Sequence, residues 1–214
     1  MTEAKRQVAG DVRIDAPAGP FEVLILADAS ADPALVAREM LAQAEHDRDA
    51  AAVLVTTSPA LLAEVRALLA SWVPRAKRRD IISAALGRSG ALLLAASMEE
   101  AGAFARAYAP EHLLVMTADP AGDAAGVDTA GTVFLGAASS VVFGDYLSGA
   151  NHVLPTSGRA RSFSGLSITD YLRSYTIQEL TPAGAAAMAD DVARLALAEH
   201  LPAHAAAALA RSGP

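Results

Sequence analysis

Short runs of apolar residues with no polar position between them recur along this chain, and they limit its possible folds more than any other feature. An alternating pattern is typical of a strand with one face in solvent, whereas an unbroken run indicates a strand buried on both faces of a parallel sheet. Segments with helix-start signals separate the runs, and this order predicts an α/β fold. The predicted strands cover residues 23–26, 52–55, 92–94, 113–116 and 133–135.

Capping residues mark where the intervening helices begin. A side chain that can accept a hydrogen bond stands before proline, or three residues before an acidic residue, at four places: Asp32-Pro33, Ser58-Pro59, Thr181-Pro182, and Ser97 with Glu100. We therefore predict an incomplete Rossmann-like parallel sheet flanked by helices over residues 1–165. It includes a long active-site loop over 144–165, and loops of that length are usually functional. Residues 166–214 are predicted to form an alanine-rich helical tail that packs on a dimer mate.

Composition narrows the class of function. A net charge of −7 argues against nucleic acid as the main partner, and the basic run at 75–79 is interpreted as a solvated turn rather than a phosphate site. Without cysteine, any metal must be held by nitrogen and oxygen ligands. No signal region and no apolar run of membrane-spanning length is present, so we expect a cytoplasmic protein with no membrane partner.

Histidine is scarce, and four of the five histidines directly follow a carboxylate or amide residue. Gln43 and His46 continue the helical spacing of Val36 and Met40, so their side chains are expected on one inward face, close enough to bind a single ion. The alternative is a polar helix end with a hydrogen-bonded histidine. The spacing alone leaves both open.

Glu111 and His112 stand at the mouth of a predicted strand. A carboxylate beside an imidazole suits proton transfer, and strand ends in α/β sheets are where ligands bind. A structural loop histidine is the alternative. In the loop that follows, Asp145 suits either a metal ligand or an Asx turn, and His152 lies in the same loop.

The tail offers two more histidines, His200 and His204, four residues apart. Pro202 is expected to start a new helix between them, so at most one of the two is expected to be a ligand. The chain has no Gly-x-Gly-x-x-Gly motif after a strand, no Walker-type loop and no Gly-x-Ser-x-Gly elbow. Self-contained binding of a dinucleotide or a nucleoside triphosphate therefore has no motif here.

Taken together, these segments resemble the C-terminal half of histidinol dehydrogenase, in the order in which that family has them. The segments that carry the resemblance are residues 17–20 (PAGP), 41–47 (LAQAEHD), 109–113 (APEHL), 144–146 (GDY), 151–156 (NHVLPT), and Glu199 with 201–204 (LPAH).

The resemblance implies a role for each matching residue. Zn²⁺, with Mn²⁺ as a possible substitute, would be held by Gln43, His46 and Asp145 of one subunit and by His204 of its dimer mate. Glu111 and His112 would be the acid/base pair. The substrate-binding residues would be Phe21, Tyr146, His152 and Glu199.

Three departures from the family shape the functional expectation. The half that binds NAD is not among these residues, a substrate-contacting serine is replaced by Phe21, and Ala150 and His200 stand where the family has proline and glycine.

From these departures we expect a zinc-dependent enzyme that has lost redox chemistry. It would carry out hydration, hydrolysis, elimination, isomerisation or cyclisation of a small nitrogenous substrate, with NAD not expected without a partner chain. The first alternative is an NAD-dependent histidinol dehydrogenase-type oxidoreductase that works with a separately encoded NAD-binding protein. The second is a non-catalytic metal-binding dimer.

Overall fold

A computed structural model describes residues 2–17 and 19–212 of the chain. The chain divides into two compact units, one ending at Leu172 and the other beginning at Arg173. The first unit contains the sheet, and the second contains two helices.

The first unit is built on a five-stranded sheet in which every pairing is parallel, with the order β3-β2-β1-β4-β5. The strands are β1 (Glu22–Ala27), β2 (Ala51–Thr56), β3 (Gly90–Leu94), β4 (His112–Met116) and β5 (Thr132–Leu135). This order is that of a Rossmann-type sheet whose sixth strand is absent from the described residues. The α/β prediction and all five predicted strand positions are confirmed.

Nine helices occur in the described residues. They are α1 (Thr2–Val8), α2 (Pro33–Ala44), α3 (Pro59–Trp72), α4 (Arg79–Ser89), α5 (Met98–Tyr108), α6 (Pro120–Ala124), α7 (Val141–Tyr146), α8 (Pro182–Ala198) and α9 (Pro202–Leu209). The predicted N-caps are present, because the side chains of Asp32, Ser58, Ser97 and Thr181 each accept a hydrogen bond from a backbone amide in the first turn.

Both faces of the sheet are buried, which is why the central strands have no polar alternation. On one face, Ile25 and Leu54 pack with Met40 of α2 and Val65 of α3. On the other face, side chains that include Leu24 and Leu113 pack against small residues of α5, Ala101 and Ala105. The edge strands β3 and β5 are only partly buried, since each lacks a strand neighbour on one side.

The long loop begins later than predicted. Residues 144–146 belong to α7 rather than to the loop, because Glu39 of α2 accepts hydrogen bonds from Ser140 Oγ and, at 3.3 Å, from the Val141 amide. These two bonds satisfy groups at the start of the helix that its own sequence leaves unpaired. Beyond α7, only two short 3₁₀ helices, Arg159–Arg161 and Ile168–Tyr171, interrupt the irregular chain before α8.

The second unit is a pair of helices, α8 and α9, that pack on each other through Ala193, Ala196 and Ala205. Its small alanine core agrees with the sequence expectation that this segment has few large apolar side chains to bury. As predicted, Pro202 starts a separate helix, after a break at His200, whose φ is 61°. Across the described residues, no helix is both long and apolar enough to cross a membrane.

Candidate functional site

Two neighbouring parallel strands bring the acid/base candidates together at one edge of the sheet. Glu22 opens β1 and His112 opens β4, and Val23 lies opposite His112 in the register of the two strands. Ligands of open α/β sheets generally bind at the carboxyl ends of the strands. Glu111 and His112 do lie at the mouth of β4, since Glu111 directly precedes the strand and His112 is its first residue, but this is the amino edge of the sheet and not the carboxyl edge.

Glu111 and His112 form a buried pair with defined geometry. Their side chains are each 3% exposed, and Glu111 Oε2 lies 3.4 Å from His112 Nδ1. His112 Nδ1 also lies 3.0 Å from the carbonyl oxygen of Glu22. Because that carbonyl can only accept, Nδ1 carries the proton, and Nε2 of the neutral ring is left as the acceptor.

The surroundings of His112 favour its protonated form. Burial by itself lowers the pKa of His112, but the hydrogen bond and charge of Glu111 act in the opposite direction, helped by the Glu22 carbonyl and Asp145. The net effect is a raised pKa. A ring that binds a proton readily, next to a carboxylate that stabilises the resulting charge, is suited to general acid/base catalysis.

Glu22 is a buried carboxylate at this site that the sequence analysis did not identify. It is 7% exposed, its amide donates to Glu111 Oε2 at 2.8 Å, and its Oε1 accepts from the Ser157 amide at 2.7 Å. Burial raises the pKa of Glu22, and the charge of Glu111 adds to the rise despite the hydrogen bond from the Ser157 amide. The available signal was an acidic residue directly before a strand that is otherwise apolar.

A cavity of about 390 Å³ lies beside the pair. Three of the predicted site residues, Phe21, Glu111 and His152, line it together. The Lys5–Asp15 ion pair, which the sequence analysis also did not identify, lines the same cavity. The cavity is therefore a candidate substrate pocket. The Glu111 carboxylate and the His152 imidazole both border its largely apolar space.

The predicted metal ligands Gln43 and His46 lie at the end of α2. The helix stops at Ala44, so Gln43 belongs to its buried face at 3% exposure, while His46 lies beyond the helix and is exposed. The expected inward stripe therefore ends at Gln43. The Phe21 ring packs on the imidazole of His46, with 4.7 Å between ring centroids.

Two observations bear on whether these residues suit a metal ion. Gln43 Nε2 is buried and has no hydrogen-bond partner among the described residues. A metal would bind the amide oxygen, and a 180° turn of the side-chain amide places Oε1 at this unpartnered position. Asp145 lies close to the acid/base pair, with its Oδ1 3.8 Å from His112 Nε2. Amide, imidazole and carboxylate donors suit zinc, so the donor chemistry fits. The described part of one chain holds no cluster of three or more His, Cys, Asp or Glu side chains placed for a metal, and the ligand set remains a prediction.

The remaining predicted residues are on the surface. Tyr146 is 79% exposed at the end of α7 and is not among the residues that line the cavity. Glu199 caps α8, and His204 lies in α9, and both belong to the second unit. Their side chains are exposed.

Comparison with known proteins identifies the family. Residues 1–212 match the family model described as histidinol dehydrogenase. A histidinol dehydrogenase from Thermobifida fusca is 50% identical over 99% of this chain and 48% of its own length, and one from Methanothermobacter thermautotrophicus is 48% identical over 96% of this chain and 48% of its own. The crystal structure of histidinol dehydrogenase from Elizabethkingia anophelis superimposes with a TM-score of 0.90, at 38% identity, over 98% of this chain and 48% of that one.

These relatives overturn the main functional expectation. Non-oxidative chemistry was the wrong interpretation, because relatives at 45–50% identity are named as dehydrogenases and favour the oxidoreductase alternative. We expected non-oxidative chemistry because the NAD-binding half of the family is not among these residues. That half does not determine which reaction the residues present here support. The chain spans about half the length of the curated relatives it matches. On the evidence of the family model and these identities, the chain belongs to the histidinol dehydrogenase family.

Proposed function

We propose that this chain supplies the metal-binding and acid/base half of an NAD-dependent histidinol dehydrogenase-type oxidoreductase. The observation that carries the proposal is the buried Glu111–His112 pair, with Nδ1 of the ring fixed by the Glu22 carbonyl and a cavity beside the carboxylate. A fixed tautomer leaves Nε2 as the acceptor for a substrate proton.

The residues of this chain would move protons and orient the substrate. When an amino alcohol is oxidised, its hydroxyl loses a proton and its carbon loses a hydride, so a base and a hydride acceptor are both required. His112 Nε2 takes the proton, and Glu111 stabilises the charge that the ring acquires. His152 lines the same cavity as Glu111 and would hold the substrate near the pair.

A zinc ion would be held by Gln43, His46 and Asp145, together with His204 of the partner subunit. When bound, zinc would polarise the substrate oxygen and ease its deprotonation, while NAD would accept the hydride. The unpartnered position at the Gln43 side-chain amide, which Oε1 can occupy after a 180° turn, and the 3.8 Å between Asp145 Oδ1 and His112 Nε2 support this assignment.

We further propose that the NAD-binding part of the site lies in the portion of the family's length that these residues do not span. In the length comparison, 99% of this chain aligns with 48% of the Thermobifida relative. The NAD site and the amino alcohol would then meet only where both portions are present.

The test is reconstitution. This chain is mixed with the complementary half of the Thermobifida relative, and zinc, NAD and histidinol are added while NADH formation is followed by absorbance. We expect NADH only when both polypeptides are present.

His112→Ala should retain zinc and lower turnover by about 10²- to 10⁴-fold. His200→Ala, on an exposed residue of the second unit, is the matched control and should keep full turnover. Equal turnover in His112→Ala and the control would refute the proposed role of the pair.

A further inference from the structure

We propose that Glu22 is a positioning residue for the Glu111–His112 pair, tying that pair to the loop whose residues 152–154 also line the cavity. This inference rests on the proposed function and adds a residue to its machinery. It follows from three hydrogen bonds made by this single residue.

The main chain of Glu22 contacts both members of the pair. Its amide donates to Glu111 Oε2 at 2.8 Å, and its carbonyl accepts from His112 Nδ1 at 3.0 Å. One peptide segment thereby sets the position of the carboxylate and the tautomer of the ring. Any shift of the start of β1 is passed directly to both groups.

The side chain of Glu22 anchors the loop that contains His152. Its Oε1 accepts from the amide of Ser157, whose φ of 58° is unfavourable for a residue other than glycine, so this bond helps to hold a strained turn. A Cβ added at Gly19 would lie 2.6 Å from the Thr156 and Ser157 hydroxyl oxygens, so the segment before β1 also lies directly against the turn.

A third segment lies near the same carboxylate. Burial, together with the charge of Glu22, raises the pKa of Tyr108, the last residue of α5, to about 12. By its hydrogen bonds, Glu22 joins the start of β1 to the acid/base pair and to the loop. A carboxylate buried next to a second carboxylate is unfavourable for folding by itself, and unfavourable groups that persist in a folded protein cluster at functional sites.

The closing experiment compares Glu22→Ala and Glu22→Gln with Asp28→Ala. Asp28 lies just beyond the other end of β1 and accepts the Ala118 amide at 2.9 Å, so it makes the same kind of tether at the opposite edge of the sheet. Amide hydrogen exchange reports each tether, and the ring N–H signal of His112 in histidine-labelled protein reports the pair. Reconstituted complex gives kcat and KM.

In Glu22→Ala we expect faster exchange of the Ser157 amide, a changed His112 ring signal, and a kcat lower by about 10- to 100-fold with KM nearly unchanged. Glu22→Gln keeps an acceptor for the Ser157 amide, so its amide exchange, His112 ring signal and kcat should all be close to those of wild type. Asp28→Ala should free the Ala118 amide and leave kcat and the ring signal as in wild type. If Glu22→Ala does not fold, Glu22→Asp replaces it, because the shorter side chain withdraws the acceptor by one methylene.

Wild-type exchange of Ser157 and an unchanged ring signal in Glu22→Ala would overturn the inference, as would an equal loss of kcat in Asp28→Ala. If the complex has no activity towards histidinol, the proposed function fails. The exchange and ring signals still decide whether Glu22 positions the pair.

Discussion

At the scale of single residues, the site concentrates buried polar groups that ordinary packing would avoid. Glu22 and Glu111 are 7% and 2% exposed, and His112 is 3% exposed. Each has a hydrogen-bond partner, which limits the free energy lost by removing it from water. The ionised form of Glu22 nevertheless remains disfavoured, since burial and the charge of Glu111 raise its pKa above the ordinary value of 4.5.

This raised pKa predicts a pH-dependent stability. A carboxyl whose pKa is raised in the folded protein contributes stability that is fully present below pH 4.5 and is lost as the pH rises through the raised pKa. Glu22→Gln cannot ionise, so the stability of wild type relative to this variant should fall as the pH rises above 4.5 and through the raised pKa of Glu22. Urea unfolding at a series of pH values measures the difference. Glu64→Gln, on the exposed face of α3, is the control, and its free energy of unfolding should change with pH as that of wild type does. The prediction would be contradicted if the free energy of unfolding of Glu22→Gln changed with pH in the same way as that of wild type.

At the scale of secondary-structure elements, the short helix α7 positions Asp145. Six residues are too few for a stable helix in isolation, so α7 depends on tertiary contacts. Glu39 of α2 satisfies its first turn, and Gly144 packs against the Phe134 ring of β5. Asp145 is therefore held by neighbours on both sides of α7.

Gly144→Ala tests this packing. The added Cβ would lie 2.6 Å from Cζ of Phe134, so the ring or the helix must move. We expect a loss of about 1–3 kcal/mol in the free energy of unfolding, the usual result of overpacking, reduced by the better helix propensity of alanine. Gly87→Ala in α4 is the matched control, because its new Cβ meets nothing within 4 Å, and it should be neutral or stabilising. Chemical denaturation distinguishes the two, and equal stability of both variants would show that α7 tolerates the displacement.

At the scale of the whole molecule, the predicted metal ligands are divided between two compact units. Gln43, His46 and Asp145 belong to the first unit, and His204 belongs to the second. By resemblance to the family, we expect each site to take its fourth ligand from a second copy of the chain. A site shared in this way makes metal content depend on how subunits combine.

Subunit mixing tests this expectation. His46→Ala and His204→Ala should each lose zinc, because each removes one ligand from both sites of the dimer. Refolded together, they should recover about a quarter of the wild-type zinc, because half of the dimers are mixed and each mixed dimer has one complete site. Elemental analysis measures zinc, and His200→Ala should retain it fully. Zinc that does not return on mixing would assign His204 to the site of its own chain or to none.

The sequence alone predicted the strands of the sheet and the helix starts, because both depend on local patterns. Unbroken apolar runs identified all five strands, and capping side chains lie within three residues of the amides they satisfy. Family motifs also identified Glu111, Phe21 and His152, which line one cavity. Each of these features depends on a short stretch of consecutive residues.

Only the tertiary structure decided how distant residues meet. Glu22 is 89 residues from Glu111 and 135 from Ser157, and the parallel register of β1 with β4 brings the first pair together at the amino edge of the sheet. Glu39 reaches the start of α7 across more than 100 residues, and this contact makes a helix where the sequence indicated a loop. No local pattern encodes such contacts, because they result from the packing of elements whose relative positions are fixed only when the whole core forms.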